Sequence, residues 1–116
     1  LVDETGFRHL IEGHEPMGHS LKSAAFLAES KMVDAAMGDV QALYELGVAY
    51  STGIGGVEVD LVEAHKWFNL AALNGSGVAQ ECRADISEDM TAREIAEAQR
   101  QARAWLADLP GARRAA

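Results

Sequence analysis

Apolar positions recur at spacings of three and four through most of residues 20–109, which predicts a succession of amphipathic helices. Leu21, Ala25, Ala28, Met32 and Ala35 form one stripe over residues 20–37. Ser20 stands where it would cap this helix and Gly38 where it would end it. Residues 39–52 form a second helix with Asp39 as N-cap, and Leu43, Leu46, Gly47 and Tyr50 lie on one face. A glycine in mid-helix costs about 1 kcal/mol relative to alanine, so Gly47 points to a packing reason: another helix passes close to its bare backbone. Residues 53–59, GIGGVEV, are a turn whose glycines take positive φ. Residues 61–74 make the partner helix. Asp60 and Glu63 have the spacing of a capping box, Leu61, Ala64, Phe68 and Ala71 form the inner face with Trp67 beside them, and Asn74-Gly75 marks the end.

Two more helices follow. A short one covers 76–86, begun by Ser76. A longer one covers 91–109, where Thr91 and Glu94 form a capping box and Met90 can staple onto Ile95. Ile95, Ala98, Ala102, Trp105 and Leu109 give its apolar stripe, and Arg93, Glu97 and Arg100 its solvated, ion-paired side. Pro110-Gly111 closes it. Residues 1–19 have no sustained period and are broken by Gly6, Gly13, Pro16 and Gly18. They read as a flexible arm, with the helical domain at 20–109 and a loose tail at 110–116.

The chain also resembles itself at an offset near 37 residues: Gly38 and Ala42 map onto Gly75 and Ala79, and Ala64-x-x-Trp67 maps onto Ala102-x-x-Trp105, one residue further on. Such a period predicts stacked helix pairs, none of which buries its apolar face alone. The first helix holds Ala42 and the run Leu46-Gly47-Val48-Ala49-Tyr50. Gly53, Gly55 and Val57 follow in the turn, and Asp60 opens the second helix. Ala64, Trp67, Ala71, Ala72 and Gly75 close the unit. Across 38–75 this pattern resembles the Sel-one-like repeat, a relative of the tetratricopeptide repeat. Gly56 departs from it as an extra turn residue. The second copy is degenerate, because Arg83 and Ala84 stand where Leu46 and Gly47 stand in the first and Ser87 replaces Tyr50. The ending MTAREIAEAQRQARAWL is similar to that of short bacterial members, which implies a bacterial source and a stand-alone protein. The expected fold is all-α: stacked antiparallel helix pairs in a short α-solenoid, about one full and one degenerate repeat plus an N-terminal helix.

Charge narrows the partners. With 10 basic and 18 acidic side chains the net charge is −8, which disfavours nucleic acid and anionic membrane surfaces. No apolar run reaches the roughly 18 residues of a membrane span. The single cysteine, Cys82, rules out an internal disulfide and favours a reducing compartment; cytoplasmic placement is expected, with export left open because the chain begins at Leu1.

Candidate chemistry is sparse. His9, His14 and His19 recur every five residues, a spacing that does not stack ligands on one helix face, so a solvated arm is expected rather than a metal site. His65, beside Lys66, reads as a surface histidine. Gly53-Ile54-Gly55-Gly56 lacks the Lys-Ser/Thr of a phosphate loop, and Glu58 and Asp60 would repel a phosphate. Cys82 lacks a partner that would activate it, and Trp67 and Trp105 read as core. No cofactor, metal or catalytic group is expected. One stripe, Gln41, Tyr44, Val48, Ser51 and Thr52, falls off the inner face of the second helix. In related helix-pair repeats the equivalent face lines a concave groove, which makes these five residues the candidate partner-binding positions. The alternative is exposure or contact with the N-terminal helix. The resemblance implies a non-catalytic adaptor or scaffold that binds another protein. The competing reading is a structural protein that self-associates through its stack ends as a homodimer. An enzyme with an unrecognised site is the remote third reading.

Overall fold

The computed structural model describes residues 21–111. The expected arm at 1–19 with its three histidines, the Ser20 cap and the end of the tail lie outside the described residues. The described part is five α-helices and one short 3-10 turn: α1 Leu21–Ala36, α2 Val40–Thr52, the 3-10 turn Ile54–Gly56, α3 Leu61–Leu73, α4 Gly77–Ser87 and α5 Ala92–Asp108.

Each helix from α2 onward starts where a side-chain acceptor meets orphan backbone N–H groups. Asp39 accepts from Gln41 N at 3.0 Å and Ala42 N at 3.3 Å. Asp60 accepts from Val62 N and Glu63 N, and Ser76 from Ala79 N. At α5 the capping box is complete: Glu94 N donates to Thr91 and Thr91 N donates back to the Glu94 carboxylate. At α3 the box is only half made. The Glu63 carboxylate instead accepts from Trp67 Nε1 at 2.9 Å and pairs with Lys66 at 3.0 Å, because the buried indole N–H one turn on has the greater need of an acceptor. On the solvated side of α5, Arg100 grips Glu97 with two donors. With Gln101 it holds that carboxyl down to about 2. The extra turn glycine is absorbed by the 3-10 turn. Gly53, Gly55 and Gly56 all take positive φ, and Asp60 N reaches back to Tyr50 O at 2.9 Å to close the loop.

The α2–α3 contact is the most extensive among the described elements and α3 is their hub, also packing on α4 and α5. Ala64, Trp67, Phe68 and Ala71 are wholly enclosed and Leu70 is nearly so. Gly47 is the point of closest approach: a Cβ built there would lie 2.5 Å from Phe68 Cε1 and 2.8 Å from Cγ. Trp67 meets Trp105 of α5 edge-on, ring centroids 4.8 Å apart. α1 packs on α2 and the 3-10 turn through a face that includes Met32 and Ala35.

The second pair departs from a simple stack. α4 and α5 both pack on α3 and have few close backbone approaches to each other. α4 buries Ala79, Cys82 and Ile86. Counting from the two N-caps, Asp39 and Ser76, the positions that match Leu43 and Gly47 are Gln80 and Ala84, and both are exposed. The lost Leu-Gly pair has thus rotated the buried face of α4. With no second close-approach point, α5 settles against Trp67.

Trp105 is expected to fasten α5 to α3. Trp105→Ala should cost about 2 kcal/mol in urea unfolding, less than a fully buried tryptophan because the ring is half-exposed, and Trp105→Phe should recover about half. A loss for Trp105→Ala below about 0.5 kcal/mol, the range of surface substitutions, would show that the pair does not hold the helices together.

Candidate functional site

The candidate stripe runs along α2, and the structure divides it. Gln41 is exposed and Tyr44 half-buried, its ring resting tilted on Phe68 with centroids 5.9 Å apart. Val48 and Ser51 are buried, at 7% and 8% exposure, and Val48 belongs to the core cluster. Thr52 is half-buried and donates to Val48 O at 2.8 Å. Ser51 Oγ donates to the same carbonyl at 3.1 Å. The expectation that all five residues are open to a partner is corrected at Val48 and Ser51, which are buried. Lys31 of α1 reaches across to pair with Glu45, so α1 also packs along α2. α2 therefore has two covered faces, one on α3 and one under α1.

The open remainder is centred on Gln41, Tyr44 and Glu45. The Gln41 amide donates to Glu45 at 3.5 Å, a long bond, while Lys31 holds the other carboxylate oxygen. Burial is the main cause that pushes the Tyr44 hydroxyl above the ordinary tyrosine range, with Cys82 and Glu45 adding to it. Tyr44 is neutral at physiological pH, an amphipathic ring with an apolar seat and a polar tip. It offers recognition rather than proton transfer.

Three other sequence candidates take definite places. Cys82 is buried at 3% exposure on α4, and its thiol is pushed up to about 11 by burial and by Asp85 and Glu81. A thiol held neutral is a poor nucleophile. Trp67 is core, as its spacing implies. His65 is the clearest miss of sequence reading: it is 3% exposed, not a surface residue, and its Nδ1 is sealed without a hydrogen-bond partner. α3 is covered on several sides, so even Lys66 beside His65 is mostly covered, paired with Glu63 and lying over the Trp67 ring. Among the described residues no group of three or more His, Cys, Asp or Glu side chains is placed to hold a metal ion. None of the described helices is long and apolar enough to cross a membrane.

Residues 40–76, which run from α2 through α3 to the cap of α4, match the family model of the Sel1 repeat. The chain carries a Sel1 repeat. Within that stretch Ala42, Leu46 and Gly47 are buried on α2, Gly47 against Phe68; Tyr50 O accepts from Asp60 N across the turn at Gly53 and Gly55; Asp60 caps α3; Ala64, Trp67 and Ala71 are buried on α3, and Gly75 follows it with positive φ. Ala102 and Trp105 lie beyond the matched stretch and pack as its outer layer. No curated protein and no solved structure matches the chain. Sel1 repeats are in general protein-interaction modules, and that coarse role is the one the repeat supports here.

Two measurements test this division of α2 and the state of Cys82. Val48→Asp should cost more than about 2 kcal/mol, because a carboxylate replaces a buried side chain, whereas Gln41→Asp should stay within about 0.5 kcal/mol. Equal effects would return Val48 to the surface. Ellman's reagent should react with Cys82 fully in denaturant and only slowly in the native protein at pH 8; prompt native labelling would contradict its burial.

Proposed function

We propose that this chain is a non-catalytic protein-interaction module, a small helical-repeat adaptor or scaffold whose partner contacts centre on Gln41 and Tyr44. The observation that carries the reading is the Sel1 repeat itself, with an amphipathic tyrosine left half-open on its first helix. Tyrosine on a rigid helix presents a large contact area at small entropic cost, and such residues are enriched in binding hot spots. Val48, Ser51 and Thr52 support this patch from beneath rather than touching the partner. The acidic balance and Glu45 favour a basic or neutral partner segment and a salt-sensitive association. The partner is a protein, not nucleic acid or a lipid surface, and the compartment in this reading is the cytoplasm of a bacterium.

One observation favours a second reading, self-association. Met37 and Leu73 flank the α1–α2 and α3–α4 turns and are 83% and 65% exposed, with Val33 and Val78 close to them in sequence at 62% and 53%. Apolar side chains gathered near successive turns suit an isologous dimer contact.

The test begins with affinity capture of a partner and a titration against it. Tyr44→Ala should weaken binding by about 1–2 kcal/mol, while lowering stability by about 1 kcal/mol through loss of the Phe68 ring contact. Raising the salt should weaken binding further. Stability loss with unchanged affinity would remove Tyr44 from the partner face. Light scattering separates the readings: a monomer in solution supports the adaptor, and a dimer broken by Met37→Asp and Leu73→Asp supports self-association.

A further inference from the structure

α4 is lightly held. It buries three residues, Ala79, Cys82 and Ile86, against its neighbours and has few close approaches to α5. Its polar attachment to α3 is the Arg83 guanidinium, which donates to Asn69 Oδ1. One helical turn before Asn69 on the same helix stands His65, enclosed and with Nδ1 unpartnered. The half-buried Arg83 side chain thus reaches the same side of α3 that carries the enclosed His65, one turn away.

We propose that His65 is a pH-sensitive latch: neutral, it lets α4 close on α3, and protonated, it repels Arg83 from within a closed contact and releases α4. Of the charges around α3, Arg83 is the one that acts on the imidazole. Glu45 of α2 is held by Lys31, Glu63 by Lys66 and Trp67, and Glu97 of α5 by Arg100 and Gln101. Asp85 and Glu81 of α4 act on the Cys82 thiol. Burial first, and Arg83 second, lower the His65 pKa from its ordinary 6.5. Because the closed form has the lower pKa, the closed contact is fully stable above pH 6.5. That stability is lost as the pH falls from there towards the closed-state value. Release uncovers the Cys82 side of α4 and the flank of α3 beside Tyr44, which makes the patch around Tyr44 larger in mild acid.

Amide hydrogen exchange on the full chain, corrected for intrinsic rates, tests this between pH 7.5 and 5.5. An imidazole with a pKa of 6.5 in the open form gives up to about tenfold more opening at pH 5.5. The expected result is that residues 77–87 lose up to about tenfold protection while residues 40–52 keep theirs. His65→Gln should abolish the loss. Arg83→Gln should reduce it and raise the His65 pKa read by NMR titration of the ring, a measurement that wild type provides even where a variant folds poorly. A wild-type His65 that titrates at or above 6.5, an α4 that loses protection only in step with α2, or an undiminished loss in His65→Gln would each overturn the latch.

Discussion

The structure depends on one close approach, the Phe68 ring lying on the bare backbone of Gly47. Any Cβ at position 47 would overlap that ring, so the absence of a side chain sets how near α2 and α3 come. Ala64 and Ala71, both wholly buried one turn either side of Phe68, keep that face of α3 low. A mid-helix glycine is poor helix chemistry on its own. Here its cost is offset by an aromatic ring removed wholly from water, an effect of about 1.5–3 kcal/mol.

Because α2 approaches so closely, α3 becomes the interior helix and everything else is arranged around it. Its inner face goes to α2, Trp67 to Trp105 of α5, and the side bearing His65 and Asn69 to α4. The second pair lacks a Leu-Gly contact of its own, so α4 and α5 each lean on α3 instead of on each other. The consequence for function is a tight repeat at α2–α3 that presents Tyr44 rigidly, and beside it a helix, α4, that buries Ala79, Cys82 and Ile86 and is tied to α3 by one arginine.

The parts of this fold that depend on local chemistry are readable from the residues. Asp39, Asp60, Ser76 and Thr91 each open a helix because a short oxygen-bearing side chain satisfies N–H groups two or three positions ahead, and that requirement is visible in one dimension. Gly47 and Phe68 are readable as a pair for the same kind of reason. What escaped is the number of faces a helix buries. Sequence spacing assigns one apolar stripe to α2 and one to α3, yet each is covered on more than one side. Val48 and Ser51 are therefore buried, and His65 lies inside although a lysine follows it. A buried histidine between apolar neighbours leaves no periodic signal. The half-made capping box at Glu63 is of the same type, because its competing donor, Trp67 Nε1, matters only once the indole is buried.

The Gly47–Phe68 contact can be isolated by a double-mutant cycle of Gly47→Ala and Phe68→Leu, followed by urea unfolding. On an open helix face Gly→Ala stabilises by about 1 kcal/mol, so the sign of the effect is itself informative. Gly47→Ala should destabilise the wild-type protein by about 1–3 kcal/mol and be neutral or stabilising when residue 68 is leucine, a coupling of at least about 1 kcal/mol. A Gly47→Ala protein more stable than wild type, with the two substitutions additive, would contradict it.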